Sequence, residues 1–201
     1  MDPAEAVVAE RAQSNFTDPE SRIMHTPDGF QQCYNGQAAV DARDQVIVAC
    51  ELSQAPPDVQ RLIPMLKRII DLNGQAPGQL SADAGYASEA NFAALDAAGV
   101  HAVIALRRYH RDEPPNADPA AKRSSQRWPH RNAMRARLAT AEGKDIYRLR
   151  KQTVEPVFGQ IKEARGFRRF LRRGLAAVES EWTMACTVHN LLKLQKSWAT
   201  V

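Results

Sequence analysis

The sequence predicts an α/β fold: a mixed sheet made of a hairpin plus parallel strands, flanked by helices, with long helices at the C-terminus. Three observations carry this. The apolar runs FQQCYNGQAAV (30–40) and VIVACELS (46–53) are separated by the polar stretch DARDQ and read as an antiparallel hairpin. Between residues 79 and 106, strand, helix and strand patterns follow at the spacing of a right-handed βαβ unit with parallel strands. From near Arg131 to the end the apolar spacing is helical, broken at Gly143 and Gly174.

Element by element, residues 1–22 read as a polar leader, poorly ordered, with a turn signal at Thr17-Asp18-Pro19; the folded domain is expected over 23–201. After the hairpin and Pro56-Pro57, Asp58 is placed to cap a helix whose apolar residues Val59, Leu62, Ile63, Leu66 and Ile70 share one face. Pro64 lies inside that run, so a kink or a start nearer Ile63 is expected. GQLSADAGY (78–86) reads as a short buried strand ending at Asp83. SEANFAALDAAG (88–99) is a helix with Ser88 as N-cap and Gly99 as its stop. HAVIAL (101–106) is a second buried strand. Residues 107–130 turn polar and basic, with Pro114, Pro115, Pro119 and Pro129, and read as a loop or insertion.

A chain of 201 residues, 44% hydrophobic and 25% charged, suits one domain with a real core. No stretch of membrane-spanning length is apolar, and the start, MDPAEAVVAER, carries acids where a secretory signal needs basic residues; a cytoplasmic protein is expected. Cys33, Cys50 and Cys186 are odd in number and widely spaced, which favours buried free thiols over a disulfide framework or a zinc site. Charge is split along the chain. Residues 1–100 hold 6 Lys/Arg against 14 Asp/Glu, whereas residues 101–201 hold 21 against 9, so the second half is suited to a polyanion.

Two carboxylates stand out. Asp83 closes a buried strand before Ala84-Gly85-Tyr86, and α/β proteins place ligands at the carboxyl ends of parallel strands. The same position suits a plain turn cap ahead of the next helix. Glu155 lies within VEPVFGQIKEARGFRRFLRRG (154–174), and on a helix Lys151, Glu155 and Lys162 fall within about 40° of one face. A solvated Lys–Glu pair is the alternative, worth a few tenths of a kcal/mol. Between Arg148 and Arg173, however, nine Lys/Arg face only Glu155 and Glu163. That excess points to phosphate contact for Arg165, Arg168, Arg169, Arg172 and Arg173, with a solvated basic face as the other reading. Two carboxylates on separate elements beside a basic helix suit metal-assisted phosphodiester chemistry, because Mg²⁺ takes oxygen ligands and a metal pair can activate a water or a 3′-OH. His189-Asn190 reads as a buried packing or hydrogen-bonding pair, Trp128 and Trp182 as core or docking residues, and His101, His110 and His130 show no metal spacing.

The blocks TDPESRIM (17–24), GFQQCYNGQAAVD (29–41), SADAGYASEANFAAL (81–95), MRARLATAEGKDIYRLRKQTVEPVFGQIKEARGFRRFLRRG (134–174) and EWTMACTVHNLLKL (181–194) occur in this order and cover most of the chain. Together they resemble the blocks of bacterial insertion-sequence transposases of the DDE type. The stretch around Glu155 resembles that family's helix of Tyr, Arg, Glu and Lys. Tyr147, Glu155 and Lys162 match it, while four residues instead of three separate Arg150 from the glutamate, and Lys151 stands at the expected interval. The resemblance implies an RNase H-like catalytic domain that binds transposon-end DNA and cleaves and joins strands with two Mg²⁺ ions. It implies catalytic, metal-holding roles for Asp83 and Glu155, and DNA contacts for Tyr147, Arg150, Lys162 and the arginines from Arg165 to Arg173.

The resemblance also implies a first aspartate on a central strand, parallel to the one ending at Asp83. Only two strands are read here before the first helix, and they correspond to the second and third of that fold. No Asp-Gly-Thr-type strand precedes TDPESRIM. Asp41 at the hairpin turn is the nearest stand-in, with a turn residue as the plainer reading. The expectation is thus a partial RNase H-like fold, the C-terminal portion of a transposase truncated at its N-terminus. The middle of its sheet would be left unpaired, or completed by another polypeptide. Its partners would be DNA and either a second copy or an intact transposase. Two functions stay open, an active DDE transposase domain and a non-catalytic DNA-binding remnant.

Overall fold

The computed structural model describes residues 14–26, 29–106 and 128–198. Within them the chain runs β1 (Arg22–Thr26), β2 (Gly29–Cys33), β3 (Asn35–Val40), β4 (Ile47–Ser53), α1 (Leu62–Asn73), β5 (Gln79–Ala82), α2 (Glu89–Ala97), β6 (His101–Ile104), α3 (Pro129–Ala139), α4 (Ala141–Gly159) and α5 (Leu175–Trp198). The α/β class agrees with expectation, but one mixed sheet does not form. The described strands make three separate pairs: β1–β2, β3–β4 and β5–β6.

The run 30–40 is split between two hairpins. Gly29–Cys33 pairs antiparallel with β1, and Asn35–Val40 pairs antiparallel with β4. Tyr34 stands between them, its hydroxyl donating to the Asp18 carboxylate at 2.8 Å. The first hairpin is mostly exposed, Phe30 included, so it carries no alternating apolar signal that a sequence reading could detect. In the second hairpin Ala39 pairs with Ala49 but Val40 with Ile47, which leaves Val48 as an extra residue. This bulge resets the side-chain alternation. Ala49 therefore packs with Met65 and Ile69 of α1, while Ile47 and Leu52 pack with Val178, Trp182 and Cys186 of α5.

Asp58 does not cap α1 through its side chain. Asp58–Gln60 form one 3₁₀ turn and α1 begins at Leu62, which puts Pro64 in the first helical turn, where its absent N–H costs nothing. The βαβ unit is as expected: β5 and β6 are parallel, with Gln79 opposite His101 and Ala82 opposite Ile104. The Ser88 hydroxyl accepts from the Asn91 N–H at 3.1 Å, and Gly99 ends the helical segment at φ +69°. Phe92, Leu95, Ala102 and Ile104 close one core against Leu62, Leu66 and Met134.

Of the two breaks expected in the C-terminal helices, Gly174 directly precedes α5, whereas Gly143 lies inside α4. Thr140 separates α3 from α4 and caps α4 by accepting from the Gly143 N–H at 2.9 Å. A side chain at Gly143 would lie 2.0 Å from the Arg137 carbonyl oxygen, so this close approach requires glycine. Pro156 sits inside α4 and cannot donate to the Gln152 carbonyl; Gln45 Nε2 does so instead, at 2.9 Å. After Gly159 the helix widens to a π-turn, Gln160–Ala164, and the segment from Arg165 to Gly174 is not helical. The arginines therefore lie on an irregular segment, not along a helix, and the π-turn takes Lys162 out of the α-helical register assumed for Glu155.

Helix α5 is pinned to the second hairpin by side chains. Asn190 accepts from the Ile47 N–H and donates to its carbonyl, both at 2.8 Å. His189, fully buried, meets the Gln45 carbonyl at 2.8 Å. Trp182 donates to the Gln37 carbonyl at 3.1 Å and stacks on Phe158 at 5.8 Å. The expected hydrogen-bonding role of His189-Asn190 and the core role of Trp182 agree with these contacts, whereas Trp128 is 41% exposed. All three cysteines are free; only Cys186 is buried, and Cys33 and Cys50 are half-buried.

Of the expected leader, residues 1–13 lie outside the described residues. Residues 14–21 form a hydrogen-bonded turn in which Asp18 and Ser21 are buried. Of the expected insertion, residues 107–127 lie outside the described residues, His110 with them, and Pro129 opens α3. Among the described residues no helix is long and apolar enough to cross a membrane. Trp182→Ala removes both an aromatic stack and a buried hydrogen bond, and is expected to cost about 3–5 kcal/mol in urea unfolding.

Candidate functional site

A groove of about 840 Å³ runs between β3 and β5. Leu62 and Ile69 of α1, and Ile146, Leu149 and Phe158 of α4, are among its walls. One end is polar and carries Asp83, Asp58 and Tyr86.

Asp83 follows β5 and shapes the turn after it, its Oδ1 accepting from the Gly85 N–H at 2.8 Å. The capping role and the strand-end position are thus the same feature. Asp58 reaches this turn from the 3₁₀ segment ahead of α1. A Cβ added at Gly85 would lie 2.9 Å from Asp83 Oδ1 and 3.0 Å from Asp58 Oδ2, so both carboxylates crowd one glycine. Asp58 Oδ1 also accepts from Asn35 Nδ2 at 2.8 Å and Gln37 Nε2 at 2.9 Å, and the Tyr86 hydroxyl donates to Gln37 Oε1. Burial, followed by the Asp58 and Asp83 charges, drives the Tyr86 phenol well above its usual range. Neither Asp58 nor Asp83 has a Lys, Arg or His ion-pair partner among the described residues.

Asn35, Gln37, Asp58 and Tyr86 were not among the sequence candidates. Asn35 and Gln37, two residues apart on β3, share one face, and Asp58 reaches them from 21 residues beyond Gln37. The usable signal was the string ADAGY, where a glycine follows an acid at a strand end.

Glu155 lies on α4, one residue from Val154, which lines the groove. Its side chain is 60% exposed and stands 3.9 Å from Arg150. Arg150 is largely covered: it lines the groove, lies 5.3 Å from the centre of the Tyr147 ring, and keeps a buried Nε without a hydrogen bond among the described residues. Tyr147 and Arg150 thus stack on each other beside Glu155. Asp41 lies at the opposite end of β3 from Asn35, where its carboxylate accepts the Arg43 and Asp44 N–H groups at 3.1 and 2.7 Å; the hairpin turn occupies it. Among the described residues no three His, Cys, Asp or Glu side chains cluster as a metal site.

Lys162 within the π-turn, and Arg168, Arg169, Arg172 and Arg173 beyond it, are exposed. Glu163 pairs with Arg168, Arg172 reaches the Ser180 hydroxyl at 2.8 Å, and Lys162 lies 5.7 Å from the centre of the Phe158 ring. Glu181 fixes the backbone here by accepting the Leu171 and Arg172 N–H groups at 2.9 and 3.0 Å. Arg165 is half-buried, its guanidinium 3.1 Å from His189 Nδ1. The Gln45 carbonyl can only accept, so His189 Nε2 carries the proton and Nδ1 accepts from Arg165. Burial, with the nearby Arg165 and Lys193 charges, holds His189 below its ordinary pKa of 6.5.

Acids at a strand end and an arginine segment with charge to spare define a domain of the kind that handles a polyanion. The comparison with known families agrees: the model of the transposase DDE domain matches residues 11–191, and the chain belongs to that family. The family carries out transposition-related nuclease chemistry on DNA and typically uses a divalent metal. No curated protein and no solved structure matches the chain.

Burial of His189, beside the Arg165 and Lys193 charges, makes stability depend on pH. Below the ordinary 6.5 of an unfolded imidazole, the unfolded chain takes up a proton that folded His189 resists, so stability falls as pH falls through that value. The urea midpoint is expected to drop between about pH 7.5 and about pH 5, and His189→Gln to flatten part of that slope.

Proposed function

We propose that this domain is an RNase H-like DDE transposase core that cleaves transposon-end DNA and transfers its strands with Mg²⁺. The carrying observation is the convergence of the Asp83 and Asp58 carboxylates on Gly85 without a cationic partner among the described residues. Such uncompensated charge at a strand end suits a hard divalent cation, and carboxylate oxygens are its preferred ligands. In this reading Asp83 and Glu155 hold the metal, and Asp58 adds charge beside Asp83. The element order supports the RNase H-like assignment: an antiparallel hairpin, a helix, a parallel βαβ unit, and then an acid-bearing helix.

Each residue then has a chemical task. Asp83 is held by the Gly85 amide, so its carboxylate does not rotate freely and is pre-set for a ligand. Arg150, stacked on Tyr147, balances the Glu155 charge and steers the glutamate. Lys162, Arg168, Arg169, Arg172 and Arg173 bind DNA phosphates, and Arg165 does so from a position braced by His189. Bound Mg²⁺ would supply Lewis-acid polarisation of the phosphodiester and a more acidic attacking water or 3′-OH.

The test uses labelled DNA carrying the element's own terminal sequence, with and without Mg²⁺. Asp83→Asn and Glu155→Gln are each expected to lower cleavage by about 100-fold or more, with DNA binding retained. Cleavage indifferent to both substitutions would remove the assignment. The double variant Arg168→Glu and Arg169→Glu should weaken binding and reduce the log–log salt slope by about two units. Binding that follows this salt law without any cleavage would favour the second reading, a non-catalytic DNA-binding module.

A further inference from the structure

Helix α5 lies along the β3–β4 hairpin in a register fixed by two contacts. Asn190 bonds both main-chain groups of Ile47, at one end of the ladder. Trp182 reaches the other end: it donates to the Gln37 carbonyl, and a Cβ added at Gly36 would lie 3.5 Å from its ring. From Trp182 to Asn190 the helix rises about 12 Å, and from Gly36 to Val40 the strand advances about 13 Å, so helix and ladder keep pace. Cys186 is the midpoint of that helical stretch. Ala38 is the midpoint of the strand stretch, and Cys50 is its ladder partner. Alternation puts Gly36, Ala38 and Val40 on one face of β3, with Leu52, Cys50 and, after the bulge, Ile47 opposite them. Cys50 and Cys186 therefore meet in one apolar cluster, across a face kept low by Gly36 and Ala38.

The two thiols are hydrogen-bonded to each other, and their surroundings make them unlike. Cys186 is buried, whereas Cys50 is half-buried, so a small oxidant can reach it. The hydrogen bond with Cys186, then that with Thr183 and the Arg68 charge, hold Cys50 below the ordinary 9.0 of a thiol, against its burial and the Glu179 charge. The bond to Cys50, followed by burial, drives Cys186 upward. The proton thus stays on Cys186 and the negative charge on Cys50. Cys33 is a contrast within the same chain: it lies on the first hairpin, donates to the Gln31 carbonyl at 3.4 Å, and is raised by burial. The chemistry proposed for Asp83 and Glu155 uses none of these sulfurs.

We propose that Cys50 and Cys186 form a hydroperoxide-reactive dithiol, with Cys50 as the attacking sulfur and Cys186 as the resolving one. The Cys50 thiolate attacks one oxygen of hydrogen peroxide; the O–O bond breaks, the other oxygen leaves as hydroxide and takes a proton to become water, and Cys50 becomes a sulfenic acid. Cys186 then attacks the sulfenic sulfur. An S–S bond forms, the S–O bond breaks, and the hydroxyl departs as water with the Cys186 proton. Two thiols lose two electrons in all, and the peroxide gains them. The product ties α5 covalently to the hairpin at the midpoint between its Trp182 and Asn190 anchors.

The test treats the purified, reduced full chain with a slight molar excess of hydrogen peroxide, without DNA or metal. Free thiols are alkylated, and the chain is mapped by non-reducing digestion and mass spectrometry. A Cys50–Cys186 disulfide is expected, with Cys50 consumed about tenfold or more faster than Cys33 near neutral pH. Cys186→Ser should stop at a Cys50 sulfenic acid that dimedone traps, and Cys50→Ser should leave Cys186 reduced; circular dichroism checks the fold of both. The oxidised chain should unfold at a higher urea concentration than the reduced one, and dithiothreitol should reverse the shift. Cys33 oxidised as fast as Cys50, a disulfide that includes Cys33, or a Cys50 thiol that survives the peroxide overturns the proposal. So does a Cys50 sulfenic acid that persists in the unsubstituted chain, since Cys186 would then not resolve it. A lower urea midpoint after oxidation also overturns it, because the bond would then strain the packing.

Discussion

The pairs β3–β4 and β5–β6 share no backbone hydrogen bond among the described residues, and the rest of the architecture depends on how that gap is bridged. Side chains and helices do what a sheet ladder would otherwise do. Asp58 ties Asn35 and Gln37 of one pair to the Asp83 turn of the other, and Tyr86 closes the link through Gln37. Helices α1 and α4 close the two sides. The polar link sits at one end of the groove, where Asp58 and Asp83 meet; apolar residues of α1 and α4 line much of the rest, with Asp41, Asn73, Gln75 and Arg150 beside them.

The same constraint accounts for the helix–hairpin clasp. With one long edge of β3 facing the groove, the hairpin depends on its other neighbours for rigidity. Asn190 copies a strand's donor–acceptor pair at Ile47, His189 meets the Gln45 carbonyl, and Trp182 anchors Gln37, a residue of the Asp58 network. Helix α5 therefore supports the acidic end of the groove from behind. It also supports the basic segment, through His189 to Arg165 and through Glu181 to the amides of Leu171 and Arg172. One helix braces both the acidic and the basic surfaces, and it contributes no arginine to either.

Under the proposed function these parts share a purpose, within a chain of the transposase DDE domain family. A polyanion needs cationic contacts for affinity, and its cleavage needs concentrated negative charge to hold a metal. These demands conflict if the charges mix. The fold keeps them apart: the Asp58–Asp83 pair is without basic partners among the described residues, and the arginine segment lies beyond the π-turn, on irregular backbone held by Glu181. Arg150 and Glu155 lie on the helix between the two.

Local chemistry was legible in the sequence. Ser88 and Gly99 bound α2 by capping and positive φ, Pro64 sets the late start of α1, and the apolar runs of β4, β5 and β6 were evident, because each is decided by neighbours a few residues away. So was the candidacy of Asp83, since a strand end is a local pattern. The β1–β2 hairpin was not legible, because its exposed strands bury too little to leave a period. The π-turn escaped because Glu155 to Arg173 keeps helical spacing in a backbone that stops being a helix. Above all, the sequence determined which strands exist, and tertiary structure decided which of them touch. Asp58 reads as a helix cap from its neighbours, yet its carboxylate goes to Asn35, Gln37 and the Gly85 turn, and the gap between β3 and β5 is set by packing against α1 and α4. A hydrogen bond between distant residues leaves no period and no spacing, so only the folded chain discloses it.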